Sequence, residues 1–150
     1  MSDYRNPFEF EKALVEVANS VLKGRGTTRA QQRIGGGPSA WELDYVFIPT
    51  TPSAEGTMYV FEFKYSSSPT LADSAINTQL ARFTALQEAN KQRSIRFLLV
   101  TNGRASNVNL PPSVRILDGV QNDQDWRNKL TQWLTDELPG TAPRPAWLEW

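Results

Sequence analysis

The sequence predicts a mixed α/β fold, and three observations lead to this prediction. Segments with the three- and four-residue spacing of amphipathic helices alternate with short segments that have the pattern of strands. Stretches rich in Gly and Pro separate them. The chain has 150 residues, 39% of them hydrophobic, which is enough for one core. We therefore expect a single domain over residues 1–150, with a core at about 7–101 and a C-terminal extension at about 102–150.

The first half of the chain is predicted to form a helix followed by three strands. Asn6-Pro7-Phe8-Glu9 combines an N-cap Asn, a Pro at the first helical position and a Glu at the third, the pattern that begins a helix. We expect this helix to end near Leu22. Turns are predicted at Gly35–Pro38 and at Pro49–Gly56, the second closing a hairpin. The predicted strands are Thr27–Ile34, Trp41–Ile48 and Met58–Tyr65.

The second half is predicted to form a helix, two strands and a last helix. The expected elements, in order, are Pro69–Lys91, Ile95–Thr101, Val114–Leu117 and Asp123–Leu138. The strand at Ile95–Thr101 is apolar throughout, which indicates burial on both faces of the sheet. The tail Pro139–Trp150 is proline-rich and ends in Trp147 and Trp150. It is expected to cover the core or to form an interface.

Composition narrows the chemistry that this chain can perform. The sequence has no Cys and no His, which excludes thiolate and imidazole chemistry and leaves carboxylates, lysine and oxygen-bound cations. Sixteen basic residues balance sixteen acidic ones, so attraction of a polyanion requires a local basic patch. The N-terminus is polar, and the longest strongly apolar run is Phe97–Val100. We therefore expect a cytoplasmic protein without a membrane span.

Two predicted neighbouring strands direct ionisable side chains to one face of the sheet. Glu62 and Lys64 are two residues apart and share a face, and Asp44 is expected opposite the apolar side chains of Leu43 and Tyr45. Paired strands lie about 4.8 Å apart, so both carboxylates can reach one Mg²⁺ or Mn²⁺ ion. The lysine can hold a phosphate or the attacking water. An acid-x-lysine triplet alone is weak evidence, since about one is expected by chance in a chain of this length.

The two long helices each place a polar residue within an apolar arc. Glu11 falls among the apolar side chains of the first helix, and Gln79 among those of the second. Buried polar groups require partners, which a metal site or an ordinary structural contact would supply. Arg82 lies near the same face as Gln79 and would either contact phosphate or extend to solvent.

Together these features resemble the PD-(D/E)XK nuclease superfamily over residues 7–101. By this resemblance Asp44 matches the first acid of the motif, Glu62 the second and Lys64 the lysine, while Leu43 stands where many members have Pro. The resemblance implies a restriction-endonuclease-like core, in the order helix, three strands, helix and strand around a mixed sheet. It also implies a Mg²⁺- or Mn²⁺-dependent nuclease.

The two helices carry narrower resemblances within this superfamily. The stretch around Glu11 is similar to the first helix of archaeal-type Holliday junction resolvases, which implies Glu11 as a third metal ligand. The segment from Gln79 to Phe83 is similar to the Gln-x-x-x-Tyr element of the exonuclease-like branch, with Phe in place of Tyr. This similarity implies a catalytic role for Gln79.

The expected substrate is nucleic acid, DNA before RNA. Phosphate contacts are expected from the basic stretch between Lys23 and Arg33 and from Arg82 on the second helix. The stretch is equally consistent with an ordinary solvated surface. No sequence-reading module is visible, so specificity is expected from nucleic-acid shape, a homodimer or a partner protein. Three alternatives stay open: a ribonuclease toxin or defence effector, an inactive binding subunit of the same fold, and an unrelated α/β domain. The candidate nucleic-acid contacts are Lys23, Arg25, Arg29, Arg33 and Arg82.

Overall fold

A mixed five-stranded sheet with helices on both faces organises the computed structural model, which describes residues 2–34, 41–50, 56–106 and 109–138. The strand order is β1-β2-β3-β4-β5, antiparallel from β1 to β3 and parallel from β3 to β5. The predicted α/β class and order of elements are confirmed. The elements are α1 (Pro7–Leu22), β1 (Gly26–Ile34), β2 (Trp41–Pro49), β3 (Thr57–Lys64), α2 (Asp73–Ala89), β4 (Ser94–Thr101), β5 (Val114–Leu117) and α3 (Asp123–Glu137).

Two apolar clusters lie on opposite sides of this sheet. On the side that we call the α1/α3 face, α1 and α3 pack against Tyr45, Phe61 and alternate residues of β4. On the side that we call the α2 face, α2 packs against Met58, Val60 and the other residues of β4. Because β4 contributes to both clusters, its predicted burial on both faces is confirmed.

Both ends of α1 follow local signals, whereas the start of α2 does not. The side chain of Asn6 accepts a hydrogen bond from the Glu9 amide at 2.8 Å, as the sequence predicts. The predicted start of the second helix at Pro69 is wrong, because α2 begins at Asp73. The backbone before it is bound to a distant segment instead: the Leu71 amide donates to the Arg104 carbonyl, and the Arg104 amide donates to the Pro69 carbonyl. These tertiary hydrogen bonds hold the segment outside the helix.

The regular alternation of β2 is broken at Asp44. Leu43 was expected on the same face as Tyr45, and this prediction is wrong: Leu43 is buried in the cluster on the α2 face. On β1, Gln31 lies opposite Asp44 and has a φ of 51°, which is uncommon for a residue other than Gly. This conformation interrupts the pairing of β1 with β2 and re-aims the side chains around it.

Some predictions lie outside the described residues. They are the turn at Gly35–Pro38, most of the turn at Pro49–Gly56, and the tail that ends in Trp147 and Trp150. Among the residues described, no helix combines the length and apolarity that crossing a membrane requires.

Candidate active site

Asp44 and Glu62 meet where the pairing of β2 with β3 ends. Tyr45 and Phe61 form the last pair of this ladder. The Phe63 amide, which would otherwise lack a partner on β2, donates to Oδ2 of Asp44 at 2.8 Å. The carboxyl group of Asp44 lies close enough to that of Glu62 to raise its pKa. Asp44 therefore replaces backbone pairing at this point and is held against Glu62.

Glu62 is the most deeply buried ionisable group of this site, with a relative exposure of 3%. Burial and then the neighbouring Asp44 raise the pKa of Glu62 to about 9, while Arg82 lowers it. A negative charge beside Asp44 is costly in this buried position, so Glu62 keeps its proton to a higher pH unless a cation binds. The pair therefore has the charge and the oxygen atoms to bind a cation.

Arg82 contacts the carboxylate pair from α2. Its Nη1 lies 3.2 Å from Oε1 of Glu62, and its Nη2 donates a hydrogen bond to the carbonyl of Glu42. From the sequence, Arg82 was predicted to contact phosphate or to extend to solvent, and in this structure its guanidinium contacts Glu62. Oε1 of Glu62 nevertheless has no hydrogen bond of normal geometry within the described residues. This oxygen can therefore still accept a donor or a cation.

Gln79 and Glu11 belong to helices that pack on opposite faces of the sheet. Gln79 lies one turn before Arg82 on α2, and its Oε1 is buried without a hydrogen-bond donor among the residues described. On α1, Oε1 of Glu11 accepts a hydrogen bond from Gln31 at 3.4 Å. Burial and then the charge of Asp44 raise the pKa of Glu11. The structure thus places Glu11 within reach of the charge of Asp44, bonded to Gln31 and not to the pair, and places Gln79 on the same helix as Arg82.

Lys64 ends β3, two residues beyond Glu62. Its side chain is exposed and forms no hydrogen bond or ion pair with the described residues. Lys64 is therefore accessible to a ligand that reaches the site from solvent.

The predicted basic stretch is spread along the end of α1 and the edge strand β1. Lys23 is exposed at the end of α1. Arg25 follows it, with a buried Nε that lacks a hydrogen-bond partner in the described part of the chain. On β1, Arg29 pairs with Val46 and Arg33 with Glu42, the strand neighbours of the site. Arg29 and Arg33 therefore flank the candidate site.

Sequence reasoning missed Gln31, the residue bonded to Glu11. No local signal identifies it, because Gln rarely adopts a positive φ and carries no charge.

The donor set fits a hard divalent cation. Mg²⁺ and Mn²⁺ bind through one or two carboxylates plus water and phosphate oxygens, and Asp44 with Glu62 offers such a pair. Oε1 of Glu62 lacks a hydrogen bond among the described residues, and a cation there would share this oxygen with the Arg82 guanidinium 3.2 Å away. Within residues 2–34, 41–50, 56–106 and 109–138, no group of three or more His, Cys, Asp or Glu side chains is arranged to hold a metal ion. A site here would consist of the two carboxylates, completed by water and substrate.

Comparisons with known proteins support the fold and do not assign a function. No protein-family model matches the chain, and no curated protein matches it. The chain is similar to a crystal structure described as "Protein of Unknown Function AF1548", with a TM-score of 0.52 and 15% sequence identity. The match covers 81% of this chain and 66% of that one. At this identity the likeness shows that the two chains share a mixed α/β fold.

Proposed function

We propose that the protein is a nuclease that hydrolyses phosphodiester bonds, with DNA as its expected substrate and Mg²⁺ or Mn²⁺ as its cofactor. The observation that carries this proposal is an almost fully buried Glu62 beside Asp44, whose side chain is held at the end of the β2–β3 ladder by the Phe63 amide. Burying two acidic groups together costs stability, and a cation offsets that cost. The bond from the Phe63 amide accounts for Asp44 in the pairing of β2 with β3, but it does not account for Glu62.

The reaction is the attack of water on phosphorus, followed by cleavage of the bond to the departing sugar oxygen. A bound cation would polarise the phosphate and make the water more acidic. Asp44 and Glu62 would hold that cation, and Asp44 is itself oriented by the Phe63 amide. The exposed ammonium of Lys64 would hold the phosphate or the attacking water and balance the negative charge that develops. The departing oxygen takes a proton from solvent.

Glu11 and Gln79 would support this arrangement from two sides. The charge of Glu11 acts on Asp44, and its bond to Gln31 keeps it beside the pair. The buried Oε1 of Gln79 needs a donor, which a water molecule at the site would provide. Both residues would therefore position the groups that react.

One observation favours a second candidate, an inactive nuclease fold that only binds nucleic acid. The guanidinium of Arg82 lies 3.2 Å from Glu62 and already supplies a positive charge there. In an active enzyme Arg82 would have to share Glu62 with the cation or turn toward phosphate. In a binding subunit the ion pair would be permanent.

Cleavage assays distinguish these candidates. Purified protein is incubated with supercoiled plasmid, branched DNA and RNA in Mg²⁺, Mn²⁺ or EDTA. We expect cleavage of DNA in either cation and none in EDTA, and cleavage of RNA alone would instead identify a ribonuclease. Lys64→Ala should lower the rate by about 100-fold or more, because the group that balances charge is lost. Lys12→Ala, which removes an exposed lysine from α1, is the matched control.

Two outcomes would count against the proposal. If Lys64→Ala cuts as fast as Lys12→Ala, the activity does not come from this site. If folded wild-type protein is inert on all three substrates but binds one of them, the binding subunit is the correct interpretation. A homodimer or a partner protein that supplies specificity would appear as a concentration-dependent mass in sedimentation experiments.

A further inference from the structure

A pocket separate from the carboxylate pair opens on the α2 face, over β1, β2 and the beginning of β3. On the same face, helix α2 packs closest to β4, which lies away from β1 and β2 in the strand order. The floor of the pocket is apolar and consists of Val46, Ile48 and Met58. Arg29 and Arg93 also line it, Arg29 from β1 and Arg93 from the turn between α2 and β4.

The two arginines give this pocket an unbalanced positive charge. Both side chains are exposed, and neither forms a hydrogen bond or an ion pair with the described residues. Among the described residues that line the pocket, none is Asp or Glu. Two like charges directed at one cavity repel each other, and an anion between them would remove the repulsion. A guanidinium binds a phosphate through two parallel hydrogen bonds, which makes phosphate the matching anion.

Size and lining indicate a planar ring as the second part of the ligand. The cavity volume is about 150 Å³. A cavity of about this volume holds a single six-membered ring such as benzene. An apolar floor between guanidinium groups suits the face of such a ring, since arginine stacks on planar π systems. A nucleotide joins a flat ring to a phosphate and would therefore match both parts of the pocket.

The pocket is one step away from the carboxylate pair along the same strands. Val46 pairs with Val60, and Asp44 and Glu62 are each two residues further along their strands. Two residues of a strand span about 7 Å. A nucleic-acid strand with a phosphate at the carboxylate pair would therefore place a neighbouring nucleotide over the pocket.

We infer that this pocket binds one unpaired nucleotide of a single-stranded nucleic acid, with the base on the apolar floor and its phosphate on Arg29 and Arg93. That the ligand belongs to a nucleic acid rests on the proposed function, whereas the shape and charge of the pocket do not depend on it. A base within a duplex is stacked and paired and cannot enter without being extruded. The protein should accordingly prefer an unpaired strand to a duplex.

Binding in EDTA tests this inference without any need for cleavage. The probe is a short fluorescein-labelled oligothymidylate, and fluorescence anisotropy gives its Kd. Arg29→Ala and Arg93→Ala should each weaken binding by about tenfold, because each removes a charge-assisted hydrogen bond. The slope of log K against log salt should fall by about 0.7 for each arginine that contacts a phosphate. Arg127→Ala is the matched control, since Arg127 lies on α3 and donates to Ser20 on the other face of the sheet.

A second comparison separates the base from the phosphate. An abasic strand of the same length carries the phosphates but no rings, and wild-type protein should bind it about tenfold more weakly than oligothymidylate. A duplex of the same length should also bind more weakly. Equal melting temperatures for the three variants and the wild type would establish that the changes in affinity do not reflect unfolding.

Each contrary result overturns a stated part of the inference. If Arg29→Ala and Arg93→Ala bind like Arg127→Ala, the pocket does not bind nucleic acid, even if the protein cuts DNA. If the abasic strand or the duplex binds as tightly as oligothymidylate, no unpaired base enters the pocket. Conversely, loss of affinity in both variants of a protein that cuts nothing would refute the proposed nuclease and leave the pocket as a binding site.

Discussion

The two faces of the sheet are built differently. Two helices cover the α1/α3 face, where the cluster is rich in aromatic rings and Trp126 Nε1 donates to the Leu14 carbonyl at 3.0 Å. One helix packs on the α2 face, which carries the buried Glu62 and the half-buried Gln79, each with an oxygen that lacks a hydrogen bond among the described residues. The packing of the α1/α3 face stabilises the fold, and the α2 face retains polar groups without hydrogen bonds among the described residues. Such groups are common where proteins bind and react.

The largest effect expected from a single substitution is the loss of stability when an aromatic ring is removed from the α1/α3 face. Trp126→Ala should lower the free energy of unfolding by about 3–5 kcal/mol, because a fully buried indole and its hydrogen bond are both lost. Phe83→Ala removes a ring from the α2 face that stacks on Phe97 with centroids 4.5 Å apart. Its cost should lie near about 3 kcal/mol, since a single helix can move into the space more readily than two packed ones. Urea denaturation of both variants measures the difference, and the reverse order would contradict the contrast between the faces.

A divalent cation should stabilise the protein through the α2 face. With free Mn²⁺ at about 100 times its Kd, the free energy of unfolding should rise by about 2.7 kcal/mol relative to EDTA, because the cation binds only the folded state. Asp44→Asn keeps an oxygen that can accept from the Phe63 amide but removes the charge, so most of this increase should disappear. Glu16→Gln, an exposed change on α1, should retain it. An equal increase in both variants would show that the cation binds elsewhere.

The stability of the cation-free protein should decrease as the pH rises. The pKa of Glu62 is raised in the folded protein from its ordinary 4.5 to about 9 by burial and by Asp44. Between these values the folded state holds a proton that the unfolded chain releases. The stability that this proton contributes is complete below pH 4.5 and is lost as the pH approaches 9. The slope should be at most about 1.4 kcal/mol per pH unit.

Urea denaturation in EDTA across this range measures the slope, with Glu62→Gln as the informative variant. The amide does not titrate, so the variant should lose most of the pH dependence. The prediction fails if wild type and Glu62→Gln give parallel curves, because the titrating group would then lie elsewhere.

The smallest expected effect on stability belongs to Glu11. The side chain is half-buried and its hydrogen bond to Gln31 is long, so Glu11→Gln should change the free energy of unfolding by no more than about 0.5 kcal/mol. Its charge acts on Asp44, so the rate of cleavage in limiting Mn²⁺ should fall by about tenfold. Glu16→Gln, on the same helix, should leave both quantities unchanged. A large loss of stability with an unchanged rate would make Glu11 a structural residue.

Much of the fold followed from local patterns, because the signals for it are local. The cap at Asn6 and the alternation in β3 predicted α1 and the shared face of Glu62 and Lys64 from neighbouring residues alone. The residues proposed for the site were also chosen from the sequence. Glu11 and Gln79 stood out because a buried polar side chain within an apolar helix face needs a partner. The start of α2 at Asp73 was missed, because hydrogen bonds to a segment more than 30 residues away hold the chain before it.

By itself, the sequence determined which residue types are available for chemistry, the order of helices and strands, and the acidic and basic groups that each strand carries. Only the tertiary structure decided how those groups meet. The positive φ of Gln31 interrupts β1, and Asp44 accepts a hydrogen bond from the Phe63 amide. Arg82 reaches Glu62 from α2, the helix that follows β3 in the chain. The physical reason is that periodicity and capping act over a few residues, whereas contacts between carboxyl groups on separate strands depend on register and on backbone distortions that no short pattern encodes.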